Sequence, residues 1–192
     1  VNPLEGLQNA FGDDVEITWE RGYVGDVSTS YNRVSTGQDL TESRSSAELI
    51  NSAVAAARNA DYVIFVGGLN KSEFQDNEGT DRADTYLPYD QQAVIEALAE
   101  VAEKFVVVNI SGSPVSMPWA DKADAIVQGW YGGTESGNAL ADVLTDKVNP
   151  SGRLPFSIPF KYEDGPIKTE AQYPGIKVEG DGKCYYDRLL SY

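Results

Sequence analysis

Histidine is missing altogether from the 192 residues of this chain. Its absence removes the commonest general base, the Ser-His-Asp and Cys-His triads, and most catalytic zinc sites. Any acid/base chemistry therefore falls to carboxylates. Cysteine occurs once, at Cys184, which excludes an internal disulfide and any Cys-x-x-Cys site and says nothing about redox compartment. A lone thiol near the end of a sequence reads as structural, because reactive cysteines need electropositive surroundings. Basic residues are also scarce, 15 Lys and Arg against 30 Asp and Glu, leaving a formal net charge of −15. With no basic run to line a phosphate backbone, neither nucleic acid nor an anionic membrane is expected as a partner. There is no apolar run of about 18 residues and no charged-then-apolar leader, so neither a transmembrane helix nor a signal peptide is visible in this sequence.

What is present is an alternation of helical and strand patterns sized for one domain with a single core. Pro3 to Phe11 reads as a helix closed by Gly12, and Val15 to Trp19 as a strand. Tyr23 to Thr41 follows as a polar loop. Ser45-Ser46-Ala47-Glu48 is a capping box leading into Leu49, Ile50, Ala53, Val54 and Ala57 at helical spacing. Asp61 to Gly68 is a short continuous apolar run ending in two glycines, as in a strand buried on both faces. A second helix is predicted from Pro88, with Val94, Ile95, Leu98, Ala99 and Val101 on one face, and then a strand over Phe105 to Ile110. A third unit supplies a strand from Ala125 to Tyr131 and a helix from about Thr134 to Leu144. This alternation predicts a layered α/β fold with a mostly parallel sheet. Beyond Pro150, Leu154 to Phe160 is a candidate edge strand, where missing N–H donors are tolerated, and the last thirty or so residues show no periodicity.

Chemistry is sought in the long polar loop from Leu69 to Asp84, between one predicted strand and the next helix. In open α/β sheets ligands sit beyond the carboxyl ends of the strands. The loop carries five carboxylates, Glu73, Asp76, Glu78, Asp81 and Asp84, although like charges crowded on a solvated loop are also a common surface feature. Asp76, Glu78 and Asp81 could offer oxygen to calcium, but EF-hand spacing and its glycine are absent, and no metal is expected. Gly132-Gly133-Thr134-Glu135-Ser136-Gly137 at a strand-to-helix turn lacks a phosphate-binding fingerprint and carries an acidic residue; a tight turn is the expected role.

NEGTDR (77–82) is followed by LPYDQQ (87–92), VVVNISGSPVSMPW (106–119), AIVQGWYGGTESGNALADVL (125–144) and NPSGRLPFSIPF (149–160). Together these segments resemble the second domain of family 3 glycoside hydrolases of the β-glucosidase type. The match runs from the Pro3-Leu4-Glu5-Gly6 helix to Pro159 with motif order and spacing kept. The resemblance implies a three-layer αβα sandwich in a flavodoxin-like arrangement, without the family's first strand. It also implies a longer enzyme of which these residues are one piece, in keeping with a start at Val1 rather than Met.

In that family a barrel domain carries an aspartate nucleophile and the second domain lends the general acid/base to a shared cleft. Glu78 in NEGTDR matches that glutamate, with Glu73 as the competing acid in the same loop. Retaining hydrolysis needs two carboxyl groups about 5–5.5 Å apart, one attacking and one protonating the departing oxygen, and it needs no cofactor. The implied partners are the family 3 barrel and a β-linked oligosaccharide, hydrolysed at its terminal non-reducing β-D-glucosyl residue or, in a close relative, xylosyl residue. No residue of this chain matches the nucleophile, so the domain alone is expected to be inactive. Asp81 and Arg82 are assigned a role in shaping the loop, and Phe74 a contact with substrate. The rival from another class is a non-catalytic carbohydrate-binding or interdomain scaffold module. A secreted or periplasmic home is expected from the family's work on oligosaccharides.

Overall fold

Two short motifs start the first two helices as their chemistry requires. In helix α1 (Pro3–Phe11) the Asn2 side chain accepts from the Glu5 amide and the Glu5 carboxylate accepts from the Asn2 amide, both at 2.9 Å. In α2 (Ser46–Ala57) Ser45 and Glu48 make the same reciprocal pair, with the Ser45 amide donating to Glu48 Oε2 at 2.7 Å. Each pair satisfies amides that have no partner inside the helix. The computed structural model describes residues 1–25, 41–78, 81–169 and 171–172, together with the backbone of four short strands at 30–31, 34–35, 176–180 and 183–187.

In chain order these are β1 (Ser30–Tyr31), β2 (Val34–Ser35), β3 (Val63–Gly68), α3 (Gln91–Ala99), β4 (Phe105–Ile110), β5 (Ala125–Gln128), α4 (Ser136–Leu144), β6 (Ile176–Gly180) and β7 (Lys183–Asp187). β3, β4 and β5 form a parallel sheet in that order, with Phe65 opposite Val107 and Val107 opposite Ile126. β1–β2 and β6–β7 are antiparallel ladders of their own. The helices pack in two pairs, α1 with α4 and α2 with α3, and α3 lies on β3 and β4. The layered α/β arrangement with a parallel sheet expected from the alternation is therefore formed, consistent with the α/β sandwich that the resemblance implies. Its core joins the helix faces (Ala53, Val94, Ile95, Leu98) to the strand residues Phe65, Phe105 and Val107 and to Trp119 beyond β4. None of the described helices is long and apolar enough to cross a membrane.

The α1–α4 pair is a backbone-on-backbone contact. A Cβ on Gly6 would lie 2.1 Å from the Gly137 carbonyl oxygen, and one on Gly137 would lie 2.0 Å from that of Asn2. That close approach is the role of Gly137, which leaves the glycine-rich turn before α4 with a packing explanation.

Four expectations change. Val15 to Trp19 is not a strand: a strand needs a hydrogen-bonded neighbour, the sheet does not include this segment, and Val15 and Trp19 are exposed. Leu154 to Phe160 is not an edge strand either, since it joins no ladder; a bond from the Met117 amide to the Pro159 carbonyl at 3.2 Å holds it beside the segment that follows β4. The strand begun at Ala125 ends at Gln128 rather than Tyr131, since Trp130 turns to φ 54°. The helix predicted from Pro88 starts at Gln91, after a turn in which Tyr89 takes φ 61°. Two ladders were also not anticipated: β1–β2 lies within the polar 23–41 stretch, and β6–β7 within the aperiodic last thirty residues. The Cys184 side chain lies outside the described residues.

Gln91, almost fully buried at the start of α3, uses its amide as a substitute for a strand neighbour. Its Oε1 accepts from the Gly68 amide at 2.7 Å, and its Nε2 donates to the Gly68 and Pro88 carbonyls at 2.8 and 3.1 Å. Gln91→Leu keeps the volume and strands both polar groups of Gly68. Equilibrium urea unfolding is expected to show a loss of about 1–2 kcal/mol, the penalty for leaving half-buried backbone groups unpaired.

Candidate active site

The site starts where β3 ends. Gly68 adopts φ 140°, and a Cβ there would lie 2.0 Å from the Ile110 carbonyl oxygen, so only glycine lets the chain cross the end of β4 so closely. The Leu69 amide then donates to that same carbonyl at 2.9 Å. Beyond it the loop is braced by its own polar groups. Asn70 Oδ1 accepts from the Ser72 amide at 2.7 Å, the Asn70 carbonyl from the Asp76 amide at 2.9 Å, and Gln75 Oε1 from the Asn70 amide at 3.0 Å. Gln75 Nε2 reaches the Tyr89 hydroxyl at 2.6 Å, joining the loop to the approach of α3.

Asp76 carries the loop onto the ends of the other two strands. Its Oδ2 accepts from the Gly112 amide and from the Tyr131 hydroxyl, each at 2.7 Å, and its Oδ1 accepts from the Ser113 hydroxyl. Partial burial works against ionisation of Asp76. The bonds from Ser113, Tyr131 and Gly112, with the Arg82 charge nearby, outweigh it and hold the carboxyl below the usual aspartate range. A depressed folded value means that these bonds stabilise the loop fully above the unfolded aspartate pKa of about 3.9 and are lost as pH falls through the lower folded value. Arg82 approaches the same point from the other side: Nη1 donates to Ser113 Oγ at 3.0 Å and to the Pro114 carbonyl at 3.1 Å, and Nε to the Asp84 carbonyl at 3.2 Å. Its Nη2 is buried with no hydrogen-bond partner among the described residues.

These residues enclose an open polar cleft of about 430 Å³, with Lys71, Gln75, Asp76, Asn77, Glu78, Asp81 and Arg82 along the loop and Gly112 and Ser113 opposite. Glu78 stands on this cleft with its side chain exposed to solvent, and Asp81, also exposed, shares the lining. Glu73 is exposed and lines neither this cleft nor the smaller hollow beside it. Phe74, 61% exposed at φ 61°, is not brought to Glu78; it borders that second hollow, about 270 Å³, with Leu69, Tyr86 and Leu87. Arg82 borders both spaces and bonds the backbone carbonyls of Asp84 and Pro114.

Asp76, Ser113, Lys71 and Tyr131 were not singled out from the sequence as a group. Lys71 Nζ sits 4.5 Å from the centre of the Tyr131 ring, and the Tyr131 hydroxyl is turned onto Asp76. Trp130 packs edge-on against Phe156 at 5.7 Å, as core aromatics do. Among the described residues no cluster of three or more Cys, Asp or Glu side chains is arranged to hold a metal ion.

The family described as glycosyl hydrolase family 3 C-terminal domain matches residues 1–192. A β-glucosidase of Bacteroides ovatus is 44% identical over 194 residues, covering all of this chain and 25% of that protein. A probable β-glucosidase of Aspergillus flavus is 50% identical over 150 residues, or 75% of this chain and 18% of that protein. Among solved structures, a family 3 β-glucosidase of Bifidobacterium adolescentis superposes with a TM-score of 0.69 at 32% identity, over 92% of this chain and 23% of that one. The chain thus spans about a quarter or less of the length of these relatives. The parallel sheet, the loop beyond β3 and the agreement along the whole sequence lead to one conclusion: this chain belongs to the glycosyl hydrolase family 3 C-terminal domain family.

Proposed function

We propose that this domain completes the active site of a retaining β-glucosidase by supplying Glu78 as the general acid/base, the nucleophile residing on a partner barrel domain of the same enzyme. The observation that carries this reading is the position of Glu78: a solvent-facing carboxylate on an open polar cleft, beyond the carboxyl end of a parallel strand, between two anchored residues. An exposed carboxylate is what a shared site requires of its second half, because the first half must reach it. Asp76 does not suit the role, since its oxygens accept three protein hydrogen bonds.

In the forward step Glu78 donates its proton to the glycosidic oxygen as the bond to the anomeric carbon breaks and the partner's carboxylate attacks that carbon. The resulting carboxylate then takes a proton from water, which displaces the sugar from the nucleophile with net retention. A raised pKa suits the first step, and closure of the cleft by the barrel, with the ionised nucleophile opposite, would provide it. The relatives' names support a terminal β-D-glucosyl residue as the group released. The domain alone, lacking the attacking carboxylate, is proposed to be inactive.

Glu78→Ala in the complete enzyme, given azide and an activated aryl β-glucoside, tests this reading. Azide needs no base and fits the space left by the carboxylate, so turnover is expected to rise at least about tenfold, within the range that general base catalysis contributes. The product should be β-glucosyl azide, identified by NMR. No rise in rate and no azide adduct would refute the assignment.

A further inference from the structure

We propose that Asp76 is the positioning residue of this site, fixing where the Glu78 carboxyl stands by seating the loop on the ends of β4 and β5; this rests on the reading of Glu78 as the acid/base. Asp76 lies two residues before Glu78 and Arg82 four residues after it. Both end on one group: the Ser113 hydroxyl donates to Asp76 Oδ1, and Arg82 Nη1 donates to Ser113 Oγ at 3.0 Å. The segment bearing Glu78 therefore begins and finishes at a common anchor just past β4. Tyr131, just past β5, adds a third point through its 2.7 Å bond to Asp76 Oδ2, and the Gly112 amide a fourth at the same distance.

The seat is also sized for its occupant. A Cβ on Gly112 would lie 3.0 Å from the Tyr131 ring and 3.4 Å from Asp76 Oδ2. A side chain at position 112 would therefore crowd both the Tyr131 ring and Asp76, and glycine there keeps the seat open to the carboxylate. An acid that protonates a leaving oxygen must stand within hydrogen-bond reach of it, and a displacement of about 1 Å can cost about 10²-fold in rate. Asp76 thus acts on catalysis through Glu78 without touching substrate.

The test uses the complete enzyme with Asp76→Ala, Asp76→Asn, Glu78→Gln and the Asp76→Ala/Glu78→Gln double variant, each assayed on cellobiose and on a dinitrophenyl β-glucoside whose leaving group needs no proton. Asp76→Ala is expected to lower kcat/KM for cellobiose about 10²-fold through kcat, with less than about a fivefold change on the dinitrophenyl substrate. The double variant is expected to be no worse on cellobiose than Glu78→Gln alone, because a misplaced acid and a missing acid remove the same step. Should Asp76→Ala fail to fold, Asp76→Asn, which keeps the size and one acceptor oxygen, should show the same substrate selectivity at smaller amplitude. Equal losses on both substrates, or a double variant whose losses multiply, would overturn the proposal and leave Asp76 as a fold residue. If Glu78→Gln is selective for cellobiose and Asp76→Ala is not, only this inference fails; if Glu78→Gln is not selective, the acid/base reading fails first.

Discussion

Glu78→Gln in the complete enzyme is expected to lower kcat/KM for cellobiose about 10³-fold, or about 4 kcal/mol of transition-state stabilisation, while that for a dinitrophenyl β-glucoside falls less than about tenfold. The asymmetry follows from what each leaving group demands. A sugar alkoxide is a poor leaving group and must be protonated as it departs, whereas a dinitrophenolate departs unaided. Glutamine holds the shape of the side chain but has no acidic proton to give. The second half of the reaction, attack of water on the glycosyl-enzyme, also loses its base, so kcat falls for both substrates. With formation of the intermediate preserved and its breakdown slowed, the dinitrophenyl substrate should also show a lowered KM and a burst of phenolate of about one equivalent per site. Stopped-flow release of dinitrophenolate measures the burst directly. Equal losses of kcat/KM on the two substrates would exclude acid catalysis by this residue.

Gly68→Ala carries the second large effect, this time on stability. Alanine at φ 140° is strained by itself, and its Cβ would have to displace the Ile110 carbonyl, only 2.0 Å away, in a strand paired on both edges. Backbone cannot yield there without disturbing the Leu69 amide, which uses the same carbonyl, and the Gln91 amide, which binds Gly68. A loss of about 3 kcal/mol or more is expected, at the upper end for overpacking. Urea unfolding followed by circular dichroism should show it, and retained activity per folded molecule would mean that the loop can leave β3 by another route. An unchanged unfolding midpoint would contradict the geometry.

How much of this was readable from the sequence depends on how far apart the partners lie. The capping box at Ser45 is satisfied within three residues, and α2 begins where that signal stands. β4 is a run of apolar residues that needs no neighbour to be recognised, and its bounds match the expectation. Val15 to Trp19 shows the apolar and polar alternation of a strand, but strand identity is conferred by pairing, and pairing is not written in five residues. The β6–β7 ladder joins residues with no apolar period to announce it.

The site divides along the same line. Glu78 stands out in the sequence as a candidate because its loop is long, acidic and placed after a strand, and because NEGTDR resembles a family pattern. Asp76 looked like one more carboxylate among five. Its meaning lies in Gly112, Ser113 and Tyr131, which stand 36, 37 and 55 residues away. The hollow near Phe74 was likewise invisible, since the turn at φ 61° that exposes the ring is a product of the folded loop.

Those long separations have a kinetic consequence. Contacts between remote segments form only after the chain has closed the loops between them, which makes parallel sheets slow to assemble. The Asp76 junction needs three strand ends already in register, so it can close only after β3, β4 and β5 have found one another. The cleft is thus expected to order among the last parts of the domain during folding, so that a chain with its helices already native-like would still lack the seat of the loop at Asp76.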